Sequence, residues 1–326
     1  MIEDSFGRVH DYLRISLTDN CNFRCFYCMP EEDYDFTPAS RLMQTEEIIQ
    51  LAKIFVDQGV KKIRLTGGEP MVRKDAAAII SALGKLPVEL VITTNGTRVK
   101  DLLPVLAEAN IKTINVSLDT LQAEKFLFIT RRDVFHDVKN NIELLLANGI
   151  NVKLNVVVMK GLNDNEILDF IDWTAHQNIQ VRFIEFMPFS GNHWTSNKMF
   201  SLDEVLNLIQ TRHTIIPVDP KPHDTAKNFK IAGHRGSFAV ISTMTAPFCS
   251  TCNRMRLTAD GKLKNCLFSA GETDLLTALR AGQDVLPLIH ASIWSKEKEL
   301  GGQLGKHFEN LDANAITNRS MITIGG

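Results

Sequence analysis

Strand-length segments recur between helical stretches from residue 12 to residue 186, and several alternate polar with apolar side chains. They lie near Tyr12 to Thr18, Lys61 to Thr66, Val88 to Thr93, Lys112 to Leu118, Asn151 to Val158 and Gln180 to Phe186. Strands alternating with helices at this spacing imply parallel pairing through right-handed crossovers, hence an α/β fold. A parallel strand covered on both faces normally reads as continuously apolar. Here Leu13, Ile15 and Leu17 alternate with Arg14, Ser16 and Thr18, and Ile63 and Leu65 with Lys62, Arg64 and Thr66. Likewise Ile114, Val116 and Leu118 alternate with Thr113, Asn115 and Ser117, and Val152, Leu154 and Val156 with Lys153 and Asn155. The apolar set can pack on helices, so the polar set must face water or a polar ligand. Two arrangements satisfy this: a sheet with one solvated face, or an incomplete barrel whose lumen carries Arg14, Lys62, Arg64 and Lys153.

The remaining signals bound the architecture. With 326 residues, 44% hydrophobic and 23% charged, the chain can bury a sizeable core, which excludes a disordered or fibrous protein. The opening MIEDSFGRVHDYL lacks the apolar centre of a secretory signal, and no apolar run reaches the ~18 residues of a membrane span. A soluble, cytoplasmic protein is therefore expected, with no membrane partner. A net charge of -2, without a basic stripe interleaved with aromatics, argues against nucleic acid. The apolar stripe from Thr45 to Gln58 predicts a helix stopped by Gly59, and Asn163 with Glu166 and Ser201 with Glu204 read as capping boxes. After about Ile215 the pattern becomes proline-rich, with short β-like runs and two helices. This divides the chain into a partial barrel over 1–215 and a smaller α+β region over 216–326.

The six cysteines fall into two groups of three: Cys21, Cys25 and Cys28, directly after the first strand, and Cys249, Cys252 and Cys266. Soft thiolates grouped in this way bind zinc or an iron–sulfur cluster. Structural zinc takes four ligands, whereas a 4Fe–4S cluster held by three cysteines leaves one iron free to coordinate a small molecule.

CNFRCFYC at Cys21 to Cys28 resembles the C-x3-C-x2-C signature of the radical S-adenosylmethionine (SAM) enzymes, and TGGEP at Thr66 to Pro70 resembles their GGE motif. FCSTCNRMRLTADGKLKNCLF at Phe248 to Phe268, KGLND at Lys160 to Asp164, RFIEFMP at Arg182 to Pro188, the near-match ITRRDV at Ile129 to Val134 and the pair Gly325-Gly326 resemble the MoaA family, GTP 3′,8-cyclases that begin molybdenum cofactor biosynthesis.

This resemblance implies an incomplete (β/α)6 TIM-like barrel, SAM, and two 4Fe–4S clusters, the second in the C-terminal α+β region. The first cluster would bind SAM, with Tyr27, Gly67, Gly68, Glu69, Ser117 and Met187 around it and Glu69 suited to its ammonium. One electron from an external donor would cleave SAM to a 5′-deoxyadenosyl radical, which takes the 3′ hydrogen of GTP. Arg14, Lys62, Arg64, Thr93, Lys153, Asn155, Arg182, Arg254, Met255 and Arg256 would hold GTP, whose triphosphate needs several cations. Catalytic roles fall to Arg254, Arg256, Gly325 and Gly326, the tail entering the site. A downstream cyclic pyranopterin monophosphate synthase would consume the product, and a homodimer is compatible with the family. Two rivals remain: a radical SAM enzyme with an auxiliary cluster acting on a peptide, and a non-catalytic iron–sulfur redox sensor.

Overall fold

A computed structural model of the chain describes residues 1–30, 34–305, 308 and 311–325, the side chain of residue 314 excepted. The first six strands form where alternation places them: β1 (Tyr12–Ser16), β2 (Lys62–Thr66), β3 (Glu89–Thr94), β4 (Thr113–Ser117), β5 (Asn151–Val158) and β6 (Ile179–Glu185). The later strands are β7 (Ile215–Pro217), β8 (Lys227–Ile231), β9 (Ser237–Ile241), β10 (Arg254–Leu257), β11 (Lys262–Lys264) and β12 (Thr273–Asp274). All join one sheet in the order β12-β11-β10-β1-β2-β3-β4-β5-β6-β9-β8-β7.

The run from β10 through β1 to β6 and on to β9 is parallel throughout, while β11 and β12 at one edge and β8 and β7 at the other are antiparallel. The barrel remains open between those edges. The region after residue 215 is thus built into both sides of the barrel instead of standing beside it, because β9 and β10 have no partners except β6 and β1 within the parallel run. A boundary at residue 215 has no counterpart in the pairing.

Leu13, Ile15, Leu17, Ile63 and Leu65 are fully buried against the apolar stripe of α1 (Thr45–Asp57), including Ile48, Leu51 and Phe55. Each such side chain contributes about 1.5–3 kcal/mol. The other covering helices are α2 (Ala76–Leu83), α3 (Val99–Glu108), α4 (Ala123–Thr130), α5 (Phe135–Ala147), α6 (Ile167–His176) and α7 (Leu202–Gln210). Further on, α8 (Leu275–Arg280), α9 (Leu286–Trp294) and the one-turn α10 (Met321–Ile324) complete the described residues.

The Ser201–Glu204 capping box forms as read, with Ser201 N donating to Glu204 Oε2 at 2.8 Å and Glu204 N to Ser201 Oγ at 3.3 Å. The Asn163–Glu166 box does not form. Asn163 instead bridges the carbonyls of Asp119 and Val157, and buried Glu166 accepts from Thr120, Leu121 and Lys125. Tertiary partners have outbid the local cap. Among the described residues no helix is long and apolar enough to cross a membrane.

Candidate active site

Strand register determines which cations meet. Arg14 on β1 stands level with Arg64 on β2 and with Arg256 on β10, so three arginines form one rung across adjacent strands. Neighbouring strands are ~4.8 Å apart, and nothing anionic separates these side chains. Arg14 and Arg64 each leave a buried Nε without a partner, as do Arg182 Nε and Asn155 Oδ1 across the lumen. Burial lowers Arg14 far below the usual guanidinium range, helped by Arg256 and Arg64, and with Arg254 beside it lowers Arg256 to about 10. The three unpaired arginine Nε donors are costly unless an anion takes them up, while the Asn155 oxygen needs a donor.

The cavity in front of this rung is walled by both cysteine groups, by Tyr27, Gly67, Gly68, Thr93, Ser117, Asn155, Arg182 and Met187, and by Arg14, Arg64, Arg254 and Arg256. Burial raises Cys21 to about 11 and Cys28 to about 12, and raises Cys25 as well, each thiol resisting ionisation beside its neighbours. A bound cation would reverse this. Among the described residues no three His, Cys, Asp or Glu side chains form a mononuclear metal site. Three thiols along one wall suit a cluster, in which each iron takes one cysteine. In the second group, burial opposes ionisation of Cys252, but Arg254 at 3.3 Å and Lys296 at 3.4 Å from Sγ bring it down to about 6. Both groups therefore fit an iron–sulfur cluster by donor type and number.

Four expected site residues are not part of this cavity's wall. Met255 is fully buried on the core side of β10 beside Leu13, since alternation that turns Arg254 and Arg256 inward turns it outward. Glu69 is fully buried and does not line the cavity; its carboxylate accepts from Met71 N, Thr94 Oγ1 and Asn95 N, and burial raises it to about 7. Through these bonds it braces the ends of β2 and β3. Lys62 shares the lumen face one rung below Arg64, away from the cavity wall, and pairs with Glu89 at 2.8 Å. Lys153 is likewise a rung below Asn155, where burial and Arg182 lower it to about 8.

Gly68 is required by the chain itself: a Cβ there would fall 2.4 Å from Asn20 O and 2.6 Å from Asp19 O, in the loop leading to Cys21. Gly325 reaches Arg256 next to the cavity. It adopts φ +80°, accepts from Arg256 Nη1 at 2.7 Å, and leaves no room for a Cβ beside Ser16. Gly326 lies outside the described residues.

Sequence reasoning missed Asp119, Asn95, Lys296 and Arg8. Buried Asp119 accepts from Tyr27 Oη at 2.6 Å and from Val157 N, fixing the ring beside Cys28, and burial raises it to about 6. Its position just past β4, at the carboxyl end where α/β sites form, was the available signal. Asn95 Nδ2 approaches Cys21 Sγ at 3.9 Å, and Arg8 holds the Cys249 carbonyl at 2.8 Å.

Residues 15–174 match the family described as the Radical SAM superfamily, and residues 179–301 that described as Molybdenum Cofactor Synthesis C. The chain is 46% identical over 330 residues to molybdenum cofactor biosynthesis protein 1 of Homo sapiens, covering 99% of this chain and 51% of that protein. It is 46% identical to the mitochondrial GTP 3′,8-cyclase of Arabidopsis thaliana, covering 100% of this chain and 84% of the relative. To the GTP 3′,8-cyclase of Listeria monocytogenes it is 38% identical, with coverage of 100% and 99%. The chain spans about half the length of the mammalian relatives it matches. The crystal structure of Streptococcus suis SuiB superimposes with a TM-score of 0.63 at 17% identity over 89% of this chain and 68% of that one, a likeness of fold.

An open parallel barrel with a three-cysteine loop at the carboxyl end of its first strand defines a radical SAM enzyme, a class that uses SAM with an iron–sulfur cluster. Within that class, the chain belongs to the GTP 3′,8-cyclase family of molybdenum cofactor biosynthesis.

Proposed function

We propose that the chain converts GTP to (8S)-3′,8-cyclo-7,8-dihydroguanosine 5′-triphosphate, the first step of molybdenum cofactor biosynthesis, with SAM and two 4Fe–4S clusters. The observation that carries this reading is one cavity walled by both three-cysteine groups and by an arginine rung in which Arg14 and Arg64 keep buried Nε donors without a partner. When bound and reduced, the cluster on Cys21, Cys25 and Cys28 supplies the electron that cleaves SAM to a 5′-deoxyadenosyl radical. Tyr27, Gly67, Gly68, Ser117 and Met187 hold SAM beside those thiols, Tyr27 being fixed by Asp119. Arg14, Arg64 and Arg256 take the triphosphate, while Arg182, steered by a 2.6 Å bond from Nη2 to Asn115 Oδ1, and Asn155 close the opposite wall. Thr93 contributes a hydroxyl at the end of β3. Cys249, Cys252 and Cys266, with Arg254 beside Cys252, hold the second cluster and seat the guanine there, so that the ribose lies toward SAM.

Such placement is the main catalytic service a protein can give a radical, because it restricts which hydrogen the radical meets. An external donor supplies the electron, and a pyranopterin-forming synthase consumes the product. The test is anaerobic reconstitution, iron and sulfide quantification, then incubation with SAM, reductant and each nucleoside triphosphate. About eight irons per chain and a cyclised product from GTP alone are expected. About four irons would remove the second cluster, and SAM cleavage without a GTP-dependent product would overturn the activity.

A further inference from the structure

The segment that delivers Gly325 is tied down by an ion cluster with no part in the chemistry described above. Arg319 donates through Nη1 and Nη2 to the two oxygens of Asp260, each at 2.8 Å, and through Nε and Nη2 to those of Glu272, at 2.6 and 2.7 Å. The three side chains are only 16–20% exposed, and the paired carboxylates raise the guanidinium's affinity for its proton. Asp260 lies in the turn just after β10, and Glu272 just before β12. The same segment returns to β10 at its other end, where Arg256 holds the Gly325 carbonyl. Residues 319 and 325 are therefore both fastened to the β10–β11 hairpin that presents Arg254 and Arg256. Lesser ties agree with this: Asn318 Nδ2 donates to Leu267 O at 2.8 Å, beside Cys266, and Tyr34 Oη pairs with Ser320 Oγ at 2.6 Å.

We propose that Arg319 is a positioning residue: its double fork to Asp260 and Glu272 sets the register of residues 320–325, so that Gly325 meets Arg256 and Arg256 stays turned into the cavity. The fork matters because its planar donors fix direction as well as distance, which a lysine ammonium does not do. Removing it leaves a short segment held by the Arg256–Gly325 bond and neutral contacts, too few to keep its register, and Arg256 loses the acceptor that orients it. The consequence for turnover rests on the proposed cyclase activity, whereas the ordering of the segment does not.

The experiment compares R319Q, R319K and the double variant D260N/E272Q with the parent chain, each reconstituted with clusters. Two quantities are read: amide hydrogen exchange over residues 320–325, and the ratio of cyclised nucleotide to 5′-deoxyadenosine. In R319Q, faster exchange confined to that segment and a fall of about tenfold in the ratio are expected, with SAM binding unchanged and R319K intermediate. D260N/E272Q should reproduce R319Q, and it decides the matter if R319Q does not fold. Unchanged exchange, or equal losses of both products, would overturn the proposal. If the parent chain makes no GTP-dependent product, the activity fails while exchange still decides the role of Arg319.

Discussion

The Gly325 carbonyl accepts a 2.7 Å hydrogen bond from Arg256 Nη1, and a Cβ on Gly325 would fall 2.7 Å from Ser16 Cβ. Since φ there is +80°, an alanine meets both a forbidden backbone region and a wall. Gly325→Ala should lower cyclised product at least about tenfold, equivalent to ~1.4 kcal/mol, while 5′-deoxyadenosine formation changes little. Chromatography of both products from one reaction provides the comparison.

The rung of Arg256, Arg14 and Arg64 places like charges on adjacent strands, with the Nε donors of Arg14 and Arg64 unpaired. Arg14→Met should therefore stabilise the ligand-free chain by about 1–2 kcal/mol, seen as a higher midpoint in urea. GTP should bind at least about tenfold more weakly, with a shallower dependence on salt, because a charge-assisted partner is lost. A variant that is both less stable and equally able to bind GTP contradicts this account.

Acid should loosen the N-terminal clasp that holds the second cysteine loop. Burial, with Lys296 nearby, lowers His10 from 6.5 to about 4 despite its 3.0 Å contact with Asp4. The folded chain thus binds fewer protons than the unfolded chain between those values, so stability is present above pH 6.5 and lost as pH falls toward 4. Asp4, with burial opposing but His10 and Arg8 prevailing, is lowered to about 2 and extends the same trend downward. His10→Asn should flatten the dependence of stability on pH over pH 6.5 to 4, removing on the order of 2–3 kcal/mol. Urea melts of both chains across that window measure it.

In metal-free protein the six thiols should not react alike. Cys252, held near 6 with Arg254 and Lys296 overcoming its burial, should be alkylated at pH 7 before Cys28, which burial holds near 12. Lys296→Met should slow Cys252 without changing Cys28. Peptide mass mapping after a short iodoacetamide pulse distinguishes the two.

Alternation on the strands made the lumen face readable: Arg14, Lys62, Arg64, Lys153 and Asn155 could be assigned inward because every second side chain shares a face. The same rule, applied to β10, would have excluded Met255 from the site. What alternation could not reveal was height along the barrel, which depends on inter-strand register and puts Lys62 and Lys153 one rung below Arg64 and Asn155. Asn163 and Glu166 show a second limit, since a local cap lost to partners that include Asp119 and Leu121, more than 40 residues away. Likewise, the smaller C-terminal region reads as an extension because its strands are short, yet two of them, β9 and β10, pair with β6 and β1 across the chain.

The parallel pairing of β10 with β1 also determines when the molecule can exist at all. Asn253 Nδ2 donates to Asp11 Oδ1 across a separation of 242 residues, next to the strands it helps align. During synthesis at ~5–20 residues per second, β1 waits roughly 10–50 s with one edge bare. Bare edges in slow-forming sheets invite association with other chains. A nascent chain in this state depends on the speed of the ribosome and on chaperone cover.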